Sequence, residues 1–311
     1  MIPSTFFTAP PEWHWLIVSY FFIGGLAGGC FFLAALIDLF GHPEDRPIAR
    51  LGYYVAFPAV VVSGILLTLD LGVPTRFWHM LIESKTLQPM LKPYSPMSLG
   101  SWALLVFGGF SFLALLAALT DAGRLRARWL ARFRPPGIVG TLVAVIGGTL
   151  GFFVAGYTGV LLAVTNRPIW TDTPLLGLNF LISAASTSAA LLLLLVPRRW
   201  WTLPGVHALR RFDVIVLVLE LVAIVALVIS LGPMARAWLN AWGALLLVGV
   251  VIVGILVPLA LQVLDGPWGA SRARGRSFRR DLATPIAAVL VLIGGFLFRV
   301  VIVLSAQGIH A

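Results

Sequence analysis

Eight apolar runs constrain this chain more than anything else in it. They cover residues 14 to 40, 50 to 73, 97 to 120, 138 to 164, 174 to 196, 211 to 231, 238 to 265 and 283 to 304. A bilayer core about 30 Å thick is crossed by roughly 20 apolar residues in a helix. These runs are long and numerous enough to fill most of the chain, so they predict an all-α, polytopic transmembrane bundle of about eight spans. The connections are too short to form a further domain, and residues 1–311 read as a single transmembrane domain. The first run is too long for the apolar core of a signal peptide, and Cys30 and Asp38 within it make no cleavage site. Composition agrees: 59% of the residues are hydrophobic and 11% charged, against roughly 25% charged in a soluble domain.

The basic residues assign the sides. The connections after the odd-numbered spans carry Arg46 and Arg50, then five arginines from Arg124 to Arg134, then Arg198, Arg199, Arg210 and Arg211, then five from Arg272 to Arg280. The opposite connections carry only Arg76, Lys85, Lys92, Arg167 and Arg236. This asymmetry predicts that the arginine-rich loops are cytoplasmic and both termini lie on the outer, periplasmic side. It also gives the net charge of +10 a topological meaning and removes nucleic acid as a partner, leaving lipid. Trp13 and Trp15 read as an interfacial belt. Small residues at helical spacing, Gly24 and Gly28 in span one and Gly147, Gly151, Ala155 and Gly159 in span four, predict close helix packing.

Ionisable groups at membrane depth are costly and stand out as functional candidates. Glu220 lies near the middle of span six. Asp213, seven residues earlier on the same face, and Asp38 lie toward the arginine-rich side. Together these three form a candidate proton pathway, with interfacial roles for Asp213 and Asp38 as the plainer reading. Toward the outer side come Asp70 at the end of span two, Tyr157 in span four and Arg299 in span eight; Asp70 is the acid closest in depth to Arg299 and its expected partner. Asn179, Ser183, Ser186 and Thr187 form a polar stripe in span five that reads as interhelical glue.

The five histidines, His14, His42, His79, His207 and His310, fall in loops or at span ends, which argues against a bis-histidine haem inside the bundle. A single cysteine, Cys30, is too few for an iron–sulfur cluster held by this polypeptide. No lysine sits within a span, so a retinal Schiff base is excluded. Any electron carriers would belong to other subunits.

The segments Trp13-His14-Trp15, Gly25-Leu26-Ala27-Gly28-Gly29, Asp70-Leu71-Gly72, Arg76-Phe77, Ser95-Pro96-Met97, Gly156-Tyr157-Thr158-Gly159, Asn166-Arg167-Pro168 with Trp170, and Gly294-Gly295 with Arg299 resemble, in order and through nearly the whole chain, the NrfD/PsrC family of polysulfide-reductase-type membrane subunits. The resemblance implies a quinone-reactive anchor in the bacterial or archaeal cytoplasmic membrane, with menaquinone or ubiquinone as substrate. It implies a ferredoxin-like [4Fe-4S] partner on the outer face, and beyond it a molybdopterin oxidoreductase or a multihaem cytochrome c. The family tyrosine of span four matches Tyr157, whose hydroxyl would hydrogen-bond a quinone carbonyl. An asparagine and a histidine early in span one of the polysulfide-reductase branch are replaced here by Ile17 and Tyr20.

The expected quinone-binding set is therefore Tyr157, Tyr20, Asp70, His79, His14 and Arg299, with Glu220, Asp213 and Asp38 as the proton pathway. The rival reading is a secondary transporter or proton channel without redox chemistry, in which Glu220 and Arg299 line a substrate path. A purely structural anchor is a third.

Overall fold

The computed structural model describes residues 13–265 and 277–308. Eight helices among them are long and apolar enough to cross a membrane. These are α1 (Trp15–Phe40), α2 (Arg46–Asp70), α3 (Pro96–Asp121), α4 (Ile138–Ala163), α5 (Leu176–Leu195), α6 (Pro204–Leu231), the composite α7, and α8 (Ser277–Ser305). The composite helix joins α-helical Ala241–Ala244, a wider π-helical run Leu245–Leu256, and α-helical Val257–Asp265.

Three helices begin several residues before their apolar runs do. In α2 the first turn is Arg46-Pro47, in α6 it starts at Pro204, and α8 starts at Ser277. Proline is pre-set for a first turn, and Arg46 at the start of α2 donates from Nη2 to the Pro135 carbonyl at 3.2 Å. Asp45 joins two of these starts: its Oδ1 accepts from the Gly205 backbone N–H at 2.7 Å, and its Oδ2 accepts from His42 N–H at 3.2 Å. Arg272, Arg274, Arg276 and His310 lie outside the described residues.

Helix α1 is the most enclosed, and it packs on α2, α4 and α5. Its approach to α4 depends on the glycines flagged by the sequence. A methyl group at Gly28 would lie 2.2 Å from the carbonyl oxygen of Gly151, and one at Gly151 would lie 2.7 Å from that of Gly28. Only residues without a side chain allow backbones this close where lipid gives no hydrophobic drive.

The two ends of the described chain meet on one face. Trp13 N–H donates to Gln307 Oε1 at 3.0 Å, and Gln307 Nε2 donates back to the Trp13 carbonyl. On that face the connection between α2 and α3 carries a short 3₁₀ turn, Pro74–Met80, and an isolated antiparallel bridge between Ile82 and Pro89.

At the opposite end, Arg134 ties three segments together. Its Nε and Nη2 donate to the two carboxylate oxygens of Asp38 at 2.8 and 2.6 Å, Nη2 also reaches the Arg46 carbonyl at 3.0 Å, and Nη1 donates to Asp121. Burial on its own disfavours the guanidinium charge. The hydrogen bonds and charge of Asp38, with the charge of Asp121, outweigh that and move the Arg134 pKa up.

Candidate quinone site

A cavity of about 790 Å³ lies among α1, α2, α3 and α4, beginning on the face where the two ends meet. Its size is that of a site for a drug-sized molecule. Three of the expected residues line it: Tyr20 from α1, Asp70 from the last turn of α2 and Tyr157 from α4. Both tyrosines are buried, and neither hydroxyl has a hydrogen-bond partner among the described residues. The remaining wall is almost wholly apolar, with Ile17, Leu67, Leu104 and Leu161 among its residues.

Tyr157 owes its position to a residue that sequence reasoning passed over. A methyl group at Gly100 would lie 2.0 Å from both Cζ and Oη of Tyr157, so the phenol occupies the space that a side chain on α3 would fill. Glycine inside a helix costs about 1 kcal/mol relative to alanine. Its presence in the second turn of α3 was the available signal. Phe153 stacks on Tyr157, with ring centroids 5.7 Å apart and an interplanar angle of 21°.

Trp13 also belongs to the cavity and not to a lipid-facing belt. Its ring lines the wall, stacks on Trp170 at 5.1 Å, and meets the edge of Phe21 at 5.8 Å. Trp170 is in turn fixed by a 2.7 Å hydrogen bond from Nε1 to the Ile302 carbonyl. Trp15, by contrast, is exposed as a belt residue would be.

His14 precedes α1 in the chain, is exposed, and is close enough to Asp70 to act on it electrostatically. His79 lies against Trp78 in the 3₁₀ turn, with the rings tilted by 53°, and does not line the cavity, although its neighbours Met80 and Leu81 do.

Arg299 is not a partner of Asp70. It is buried between α5 and α8, where Nη1 donates to Ser183 Oγ and to the Gly295 carbonyl at 2.8 Å, and Nη2 donates to the Phe180 carbonyl at 3.2 Å. The acid within electrostatic reach is Glu220. Depth alone suggested Asp70, but Asp70 ends α2, and Arg299 faces α5. The polar stripe of α5 is therefore an interface of specific bonds: Ser186 Oγ donates to Glu220 Oε2 at 2.6 Å while Ser183 accepts from Arg299.

The acids of the expected proton pathway separate into two places. Asp213 and Glu220 share a face of α6, both buried, and Asp213 Oδ2 accepts from Gln262 of α7 at 2.6 Å. Asp213 Oδ1 and Gln262 Oε1 have no partner among the described residues. Asp38 is gripped by Arg134 instead. Among the described residues no three His, Cys, Asp or Glu side chains gather as a metal site.

Comparison with known proteins decides the family. A sequence profile described as "Polysulphide reductase, NrfD" matches residues 4–311. The chain belongs to the NrfD family. This NrfD protein is similar to a polysulfide reductase polypeptide of Wolinella succinogenes, with 34% identity over 191 residues covering 56% of the present sequence and 55% of that relative. It is similar to a selenate reductase polypeptide of Mesobacillus selenatarsenatis, 32% identical over 75 residues, which cover 24% of the present sequence and 18% of that relative. A NrfD homolog of Haemophilus influenzae is 26% identical over 275 residues, covering 83% and 85%. The match thus spans about half the length of the polysulfide reductase relative and less than a fifth of the selenate reductase one.

The cavity's chemistry is simple. Two phenol hydroxyls are free to donate to carbonyl oxygens or accept from hydroxyls. One carboxylate stands at the mouth to take a proton. Apolar walls beyond them would hold a hydrocarbon body and exclude water.

Proposed function

We propose that this NrfD protein is the quinone-reactive membrane anchor of a multi-subunit respiratory oxidoreductase in a bacterial or archaeal cytoplasmic membrane. The observation that carries the reading is the convergence of Tyr20, Tyr157 and Asp70 on one cavity whose other walls are almost wholly apolar. A quinol has the matching shape: a small ring with two oxygens on a hydrocarbon tail. The tyrosine hydroxyls orient the ring oxygens, and Asp70, coupled to His14, receives protons at the open end. Electrons leave to an iron–sulfur subunit on the same face, read as the outer one from the basic-residue asymmetry, and from there to a catalytic subunit. The polysulfide and selenate reductase names of the relatives support a reductase of this kind.

Glu220, Asp213 and the hydrogen-bonding residues beside them, Ser186 and Gln262, extend the proposal to proton transfer toward the opposite face. Two unpartnered oxygens, Asp213 Oδ1 and Gln262 Oε1, support it, since a buried acceptor without a donor is costly unless a proton or water visits it.

The test is quinol-linked turnover of the purified complex. Tyr157→Phe removes one neutral hydrogen bond and raises KM about fivefold. Asp70→Asn removes the proton acceptor and lowers kcat about a hundredfold. Unchanged turnover in both variants overturns the site assignment.

A further inference from the structure

The cavity continues well past the two tyrosines, and its far part has an open side. From Asp70 it follows α2 down to Phe57, thirteen residues or about 20 Å along the helix axis. On α3 it reaches Phe112. The rings of Phe57 and Phe112 pack 5.1 Å apart and form its floor. Between mouth and floor, α2 and α3 are separated by glycine. Nothing lies within 4 Å of a methyl group placed at Gly64 or Gly109, and one at Gly108 would meet only Val60 Cγ1 at 4.0 Å. The rim of this opening is exposed and wholly apolar: Val61 and Ile65 on α2, and Leu105 and Phe112 on α3.

Resting on the quinone reading, we infer that the gap between α2 and α3 at Gly64, Gly108 and Gly109 is the lateral passage through which the isoprenoid tail of the quinol lies and leaves toward the lipid. Three features favour the tail over another occupant. The gap is continuous with the polar end that takes the ring, so one molecule spans both. It opens at membrane depth, so a tail leaving sideways enters hydrocarbon. The floor formed by Phe57 and Phe112 stops a ligand from running further along the helices and turns it outward.

The glycines are then specificity determinants for the tail and do not touch the ring. The discriminating substrates share one quinol ring, with either a long isoprenoid tail or a methyl group in its place. In the purified complex Gly108→Leu fills the gap with four carbon groups. It raises KM for the long-tailed quinol about tenfold, the loss of one to two buried methylene contacts, and leaves KM for the tail-less one within about twofold. Gly109→Leu repeats the effect from the next position. Both substitutions raise helix propensity on a lipid-facing surface, and an unchanged unfolding midpoint shows that folding is intact. Equal changes for both substrates, or no change for either, overturn the passage while leaving the quinone site standing. A wild-type complex that oxidises neither quinol overturns the quinone reading and the passage with it. Photolabelling of the α2 and α3 gap by a diazirine phospholipid that excess long-tailed quinone does not displace assigns the gap to an acyl chain and also overturns the proposal.

Discussion

Replacing Arg134 offers the clearest separation of structural acids from working ones. Its side chain is 5% exposed and that of Asp38 is 2% exposed, while Asp121, the third member, is 29% exposed. Arg134→Met removes the guanidinium and leaves Asp38 buried, with the Tyr53 phenol close enough to act on it electrostatically. Asp121 keeps Arg50 at 3.6 Å and water, so its loss is small. Taking one partner from a buried pair costs about 3–5 kcal/mol, whereas replacing both by apolar groups of similar volume is near neutral. Three of the four Arg134 hydrogen bonds go to Asp38 and the Arg46 carbonyl, so the burden falls on Asp38, and the expected loss lies near the lower end, about 3 kcal/mol, because Tyr53 remains. The double variant Arg134→Met/Asp38→Leu should recover at least half of it. The assay is unfolding in mixed micelles followed by tryptophan fluorescence, read as a double-mutant cycle. A cost below about 1 kcal/mol for Arg134→Met, or a double variant no better than the single one, would refute the argument that Asp38 is held for structure.

Two further outcomes follow from the geometry. Gly100→Val places branched carbon where the Tyr157 phenol now lies, 2.0 Å from its Oη, and should raise KM for quinol by at least the fivefold of Tyr157→Phe; equal KM in Gly100→Val and the wild type would show that the phenol position is not needed. Glu220→Gln keeps an oxygen to accept the 2.6 Å bond from Ser186 but cannot exchange a proton at neutral pH. In proteoliposomes it should leave quinol turnover within about twofold and abolish the associated membrane potential, and a potential equal to that of the wild type would remove Glu220 from any proton path.

Residue order alone carried the eight helices and the shared side of the two ends, because span length and apolar content are set by the bilayer and need no knowledge of neighbours. The Gly28 and Gly151 contact was legible for a similar reason: a glycine stripe in a lipid-embedded helix has few uses besides close approach. Tyr20, Asp70 and Tyr157 were also legible as candidates, by depth and, for the tyrosines, by the family resemblance. What the sequence could not encode in readable form was which side chains meet. In a soluble helix the apolar stripe marks the inward face, but here lipid-facing and inward-facing positions are both apolar, so the rotation of each helix about its axis is hidden. That rotation turned Arg299 toward Ser183 and Glu220 and away from Asp70, brought Trp13 into the cavity wall, and sent Asp38 to Arg134. It also gave Gly100 its purpose, since a gap on α3 matters only once α4 presents Tyr157 to it. The spans were decided by the solvent, and the site by the way the helices turn toward one another.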